Sequence, residues 1–431
     1  MRSASTSRLI AFLLAAYSLS GLDAFAQSDY EAALREGQVA FRANDFATAR
    51  QKFEQASQMQ PRDPRVWLAL AQTLLKSNEP HQADQAAAKA AAVAPDDPAT
   101  HHGLAVYHAA AGHWQQAAES EERFARLQPA DSEAVGRAAE FYLRAKTPKQ
   151  AVEILRWGIT NENRAPLQIR LAQASIAAGA PQDAVEAFEQ AIRLQPYEER
   201  LYFELAHLHL QLQQPDRAHD VLDRGRKIFD KSAQIELLRG IAFYAQRKFT
   251  EAVDSFLRSI ALNPSLDQPH AFLGRILSHA HARLPEVTSR FEAYEKAKPE
   301  SFLGYYLHAI ALLEGMGPSL DPETGAQAEQ LLGEALALND QHAESHFELG
   351  VLLAKKRDFE GAEKQLARAA GLNPKSSKVH YHLARVYTRL GKADQARAEQ
   401  ELHEKLTEQE RQAMRSGMSS RAESAFSDVV Q

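Results

Sequence analysis

Cysteine does not occur anywhere in the 431-residue chain. Disulfides, thiol nucleophiles, cysteine-held zinc and iron–sulfur clusters are therefore excluded. The compartment is not, because a helical array can be stable without covalent staples. Excess positive charge is missing too. Lys and Arg number 50 against 56 Asp and Glu, a net charge of −6. A nucleic-acid binder needs a basic surface to replace phosphate counterions, so no nucleic-acid partner is expected. Enzyme signatures are absent: there is no Walker loop, no Gly-x-Ser-x-Gly elbow and no His-Glu-x-x-His helix. His403-Glu404-Lys405-Leu406-Thr407 starts like the last of these and ends in threonine. Acidic residues are plentiful, but on a solvated surface neighbouring carboxylates are ordinary surface charge. No catalytic residue, metal or cofactor is expected. Tryptophan is scarce, at three residues.

The N-terminal segment differs in character from the remainder of the chain. Arg2 and Arg8 precede the apolar stretch Leu9 to Ala16, and the first acidic residue is Asp23. Ala24-Phe25-Ala26 offers small residues at the two positions a signal peptidase reads. Residues 1–26 thus resemble a secretory signal peptide cleaved near Ala26. The apolar core is too short for a spanning helix, which wants roughly 20 apolar residues. With no cysteine after it, no bacterial lipid anchor can form on the mature end, and no Asn-x-Ser/Thr acceptor with a permitted middle residue occurs. The expectation is an exported protein, periplasmic or secreted and most in keeping with a bacterium, with no membrane-spanning segment after cleavage.

A period of 34 residues runs through the chain beyond this segment, and such periods decide the fold. Pro61, Pro95 and Pro129 are 34 apart, and Pro196 and Pro264 differ by twice that. Alanines keep the same step at Ala49, Ala83, Ala117 and Ala151, at Ala184, Ala218 and Ala252, and at Ala328, Ala362 and Ala396. Counting repeats from Tyr30, Pro64, Pro98, Ser132, Ala165, Glu199, Ala233, Asp267, Phe302, Ala343 and Ser377 puts Ala or Gly at position 8 in every one. Position 20 is Ala in all but one, where Glu286 stands. Two helices joined by a short turn must cross closely to bury their apolar faces, and small residues at the crossing allow it. Trp67, Leu70 and Leu74 share a helical face, as do Phe249, Val253 and Phe256. Asn44-Asp45, Asn78-Glu79-Pro80, Ala111-Gly112, Thr147-Pro148 and Gly179-Ala180-Pro181 punctuate the halves. Proline at position 32 ends the second helix.

These residues resemble the tetratricopeptide repeat family, whose consensus is small at 8, 20 and 27, large at 4, 7, 11 and 24, and Pro at 32. The resemblance covers Tyr30 to Leu406, about eleven repeats. It implies an all-α solenoid, a right-handed superhelix of helix-turn-helix units that holds partners and is not an enzyme. The expected organisation is a signal peptide at 1–26, a solenoid at 27–406 and a capping helix with a flexible tail at 407–431. The fourth repeat is one residue short, the eighth is one long and poor in consensus residues, and the ninth carries an insertion near 315–325. Gln400 and His403 make the last repeat wetter, as a terminal repeat with one neighbour must be.

Histidine is the unusual count, at 17. His101, His270, His346 and His380 share position 4, where the family carries a large aromatic. Successive repeats are about 10 Å apart, too far for shared metal ligation. The imidazoles are read as aromatic substitutes at a half-buried contact. In the family, positions 2, 5, 9, 12 and 13 project into the concave groove. Carried onto this chain, they make the later repeats aromatic and the far end basic. Tyr244, Tyr306, Phe347, Lys355, Lys378, Tyr381, Arg385 and Arg389 are the expected partner-binding residues. A protein or peptide partner is implied, in a non-enzymatic scaffold of the bacterial envelope. Phe347 and Val351 occupy positions that the family's carboxylate clamp would need, which argues against that clamp. The alternative is glycan or peptidoglycan binding through groove aromatics, weakened by the shortage of tryptophan.

Overall fold

Proline and aspartate set the helix boundaries in this chain. Asp45, Asp63, Asp97, Asp131, Asp321 and Asp358 each stand at an N-cap and accept a backbone N–H from the first turn, at 2.8–3.1 Å. Such a bond satisfies a donor that the helix leaves open. Proline occupies the first turn of helices such as Pro64–Lys76 and Pro80–Val93, where its missing N–H costs nothing. Proline at position 32 acts from the other side. Helices Phe46–Met59 and Trp114–Leu127 stop two residues before Pro61 and Pro129, as the restriction on the residue preceding proline requires.

The computed structural model describes residues 27–316 and 321–415. The expected signal peptide, the Gly317-Pro318 pair and the expected tail beyond 415 lie outside these residues. Among the described residues there is helix and no strand. The chain is an all-α solenoid of paired helices, here called helix A and helix B of each repeat, and it divides into two compact units at Pro196 and Tyr197. The first unit holds repeats one to five, from a helix at residues 27–42 to Pro181–Leu194. The second holds repeats six to eleven, from Glu199–Gln211 to Ala393–Arg415. No helix among the described residues is long and apolar enough to cross a membrane.

In every repeat but the eighth and ninth, the turn inside the hairpin has the same form at position 15. Asn44, Asn78, Gly112, Lys146, Gly179, Gln213, Arg247, Arg357 and Gly391 all have φ between 56° and 77°. The next residue's N–H returns to the carbonyl five residues back, as from Asp45 to Ala40 at 2.9 Å and from Asp358 to Leu353 at 3.0 Å. This left-handed closure caps helix A. Side chains other than Gly or Asn pay a steric cost there, so Lys146, Gln213, Arg247 and Arg357 hold a conformation that glycine adopts freely.

Position 8 faces position 24 across the hairpin. A Cβ added to Gly37 would lie 2.6 Å from the Phe53 ring, one at Gly240 2.4 Å from Phe256, and one at Gly350 2.7 Å from Leu366. The alanines of positions 8 and 20 are buried through both units, among them Ala71, Ala105, Ala184, Ala206, Ala252 and Ala362. The packed faces form continuous apolar clusters around Phe53 and Leu70, around Val135 and Leu155, and around Leu332, Leu366 and Leu383.

Irregularities have defined forms. The missing residue of the fourth repeat is lost from the turn between Pro148–Asn161 and Ala165–Ala177. In the eighth repeat, helix A stops at Arg275 and continues as 3₁₀ turns at Leu277–His279 and His281–Arg283. The ninth repeat's insertion near 315–325 is mostly taken up as helix, in Phe302–Met316 and Pro322–Leu338. The final helix Ala393–Arg415 runs through residues 406 and 407 without a break.

Gly240→Val tests the crossing. The added methyls meet a Phe256 ring that is fully buried and stacked on Phe272 at 5.3 Å. The expected loss is about 1–3 kcal/mol, read as a lower urea midpoint. Adding Phe256→Leu recovers part of it; a double variant no more stable than the single one contradicts the steric account.

Candidate partner-binding groove

Helix A of the tenth repeat, Ala343–Lys355, and helix A of the eleventh, Ser377–Arg389, bury one face each. Leu349, Leu352 and Leu353 go inward from the first, and Val379, Leu383 and Val386 from the second. That register leaves Lys355, Lys378, Tyr381, Arg385 and Arg389 exposed. A recess of about 650 Å³ opens here. Its apolar lining is Val351, Ala354, Phe359 and Val386, and its polar lining is Lys355, Arg357, His382, Arg385 and Arg389. Lys355, Arg357, Arg385 and Arg389 form no salt bridge among the described residues.

The aromatic residues expected in the groove are mostly engaged by neighbours. Phe347 is 7% exposed, with Lys378 Nζ 4.5 Å above its ring and the His382 ring edge-on at 5.4 Å. Tyr381 is 39% exposed, the most open of the set, and carries the Arg385 guanidinium at 5.5 Å. Tyr306 is half-buried, edge-on to His342 at 4.7 Å, and burial holds its hydroxyl pKa well above the ordinary phenol range. Tyr244 belongs to the seventh repeat and packs against Phe249 and Phe272 at 5.9 and 6.0 Å. The recess thus gathers Lys355, Arg385 and Arg389, with Phe347, Lys378 and Tyr381 adjoining. It does not include Tyr244 or Tyr306. Sequence reasoning missed Arg357, Phe359 and His382, which lie at positions 15, 17 and 6, outside the five projecting positions of helix A.

The field in this region is uneven. Burial lowers the His382 pKa from its ordinary value, and Arg385, Lys378 and Lys355 lower it further. Burial raises the Glu348 pKa. Lys378 and Lys355 oppose that rise, while Glu314 and Glu344 add to it.

Residues 40–107, 175–240 and 355–402 match one family described as tetratricopeptide repeat, and residues 325–376 match a second with the same description. The matched spans fall on hairpins whose helices cross at positions 8 and 24. The chain is a tetratricopeptide repeat protein. Solved structures with a similar arrangement include yeast Tom70, at 16% identity, covering 94% of this chain and 96% of that one, with a TM-score of 0.37. The Cut9–Hcn1 hetero-tetramer of APC/C aligns at 10% identity over 96% and 99%, with a TM-score of 0.41. A tetratricopeptide repeat protein from Parabacteroides merdae aligns at 16% identity over 55% and 94%, with a TM-score of 0.33. No curated protein matches the sequence. Tetratricopeptide repeat proteins bind protein partners, and the repeat scaffold is generally non-catalytic.

Within this repeat framework the position-4 histidines have a defined task. Trp67 Nε1 donates to the Pro61 carbonyl at 2.8 Å, six residues back in the preceding inter-repeat turn. Three histidines place Nε2 on the equivalent carbonyl: His101 on Pro95 at 2.7 Å, His346 on Asp340 at 3.0 Å and His380 on Pro374 at 3.1 Å. A carbonyl only accepts, so Nε2 carries the proton in each. Imidazole therefore replaces both the bulk and the N–H of the tryptophan. His270 differs: its Nδ1 donates to Leu266 at 2.7 Å and its ring stacks on Tyr294 at 4.2 Å.

Other clusters are structural in their connections. Among the described residues no three His, Asp or Glu side chains converge to hold a metal ion. Buried Glu121 is held by Arg137 at 2.6 Å and His102 at 3.0 Å, and buried Glu236 by Arg226 and Arg258, each at 2.9 Å. Each carboxylate is matched by basic side chains, an arrangement whose loss would be costly and whose presence adds little net stability. The three tryptophans each have a ring contact with a cation: Lys89 at Trp67, Arg144 at Trp114 and Arg126 at Trp157, at 4.4–5.0 Å. None offers both faces for sugar stacking.

Buried His270 gives a pH test. Desolvation lowers its pKa from 6.5 to about 4, against a weaker upward pull from the Leu266 carbonyl. Above pH 6.5 the ring is neutral folded and unfolded, so it contributes no slope. Between 6.5 and about 4 the unfolded chain takes the proton and the folded chain does not, so stability falls as pH falls. The slope is about 1.4 kcal/mol per pH unit for one such group. His270→Phe is expected to flatten the urea-midpoint profile across that window. An unchanged slope would rule out His270 as a source.

Proposed function

We propose that this protein is a non-enzymatic interaction scaffold of the bacterial cell envelope, holding a peptide or protein partner in the groove of its second unit. The observation that carries the reading is the recess between the tenth and eleventh repeats. It joins Lys355, Arg385 and Arg389 to an apolar lining, with Tyr381 exposed beside it. Beside the recess, Lys378 covers the Phe347 ring, so the ring is a support for the charged side chain over it. Tyr306 and Tyr244 extend the same reading toward earlier repeats. A partner would gain buried area from the tyrosyl and aliphatic surface and orientation from the cations. Export to the envelope rests on the sequence pattern of residues 1–26.

A photo-crosslinking amino acid at position 381, introduced into the full chain in its native cell, tests the reading. The expected outcome is a protein adduct that forms from position 381 and not from a control at exposed Glu360. Equal labelling from both positions, or none from 381, would remove the groove as the binding face.

A further inference from the structure

The recess carries more charge than the groove positions alone provide. Arg357 enters from the turn of the tenth repeat and His382 from helix A of the eleventh, facing Lys355, Arg385 and Arg389. The four permanent cations lack salt bridges among the described residues. Elsewhere in the second unit, cations are often neutralised across repeats: Lys392 meets Glu363 at 2.6 Å, Lys356 meets Glu329, and Arg226 meets Glu236 at 2.9 Å. In a chain of net charge −6, cations held around a concave, partly apolar surface focus a positive field there.

We propose that this recess seats an acidic segment of the protein partner, in which carboxylates flank an apolar side chain. Val351, Phe359 and Val386 take the apolar side chain, and Arg357 and Arg389 close on the carboxylates from the turn and from helix A. The inference rests on the groove assignment of the proposed function and narrows the class of partner.

Geometry also couples the site to protons. His382 lies among Lys378 and Arg385 on its own helix and Lys355 and Phe347 on the preceding helix A, with Tyr381 beside it. The surrounding cations disfavour the imidazolium, and an arriving carboxylate offsets them. Binding then takes up a proton, so by linkage affinity rises as pH falls from 7 through the range in which His382 titrates.

The test uses the full mature chain and two labelled peptides, one alternating Glu with Leu and the other with Gln in place of Glu. Binding is read by fluorescence anisotropy at low and high salt. The Glu peptide is expected to bind at least about tenfold more tightly than its Gln counterpart, with the preference shrinking as salt screens the charges. Arg385→Glu/Arg389→Glu should lose about tenfold or more. Arg357→Gly should lose severalfold while leaving the fold intact, because φ at residue 357 is +65° and glycine relaxes the turn. His382→Gln should remove the pH dependence and keep the preference for Glu. Equal binding of both peptides, or unchanged affinity in Arg357→Gly and the double variant, overturns the proposal. So does binding to anionic lipid vesicles without binding to the Glu peptide. If position 381 still crosslinks a protein in cells when the peptide preference fails, only the acidic assignment falls. If neither is observed, the groove assignment falls with it.

Discussion

The close crossing of helix A and helix B is the constraint on which the rest depends. Where the partner side chain at position 24 is a phenyl ring, as at Phe53 and Phe256, position 8 shrinks to glycine. The fit at Ala172 and Phe188 shows that alanine is also tolerated opposite a ring, so the rule is a limit on volume at the crossing and not a fixed pair. Once the rods approach this closely, their outward faces are fixed in register. Lys355, Arg385 and Arg389 meet at one recess because position 8 of each repeat holds its helix at a set rotation.

Polar groups in the scaffold mostly serve the turns. Aspartates cap the helix starts, left-handed residues at position 15 close the helix ends, and ring N–H groups at position 4 satisfy carbonyls between repeats. In the second, third, tenth and eleventh repeats that donor is a tryptophan or a histidine, two rings alike in little except shape and an N–H.

The fold was legible because the crossing needs small residues at fixed intervals, and Ala49, Ala83 and Ala117 announce the interval directly. The basic end of the groove was legible for the same reason, since register alone places Lys355, Arg385 and Arg389. What a ring does there was not. Phe347 and Tyr381 occupy the same repeat position, yet one is covered and the other is open. The difference lies in Lys378, Arg385 and His382, which no periodic rule assigns. Arg357 escaped notice because the family's projecting positions all lie on helix A, whereas it lies on the turn. In the ninth repeat the insertion was legible from the broken period, but not that both helices lengthen to take up most of it. The broken helix A of the eighth repeat was marked only by its poor consensus; its two 3₁₀ turns could not be foreseen.

The ring N–H bonds at position 4 act as stitches, each thread running from one repeat into the turn behind it. To fray such a repeat is to cut a thread that also finishes its predecessor's edge. The fourth repeat has Val135 at that place, a buried side chain with nothing to donate. The stitching of the second and third repeats, through Trp67 and His101, therefore stops there, and local opening of the fourth repeat costs less than in the two stitched repeats before it.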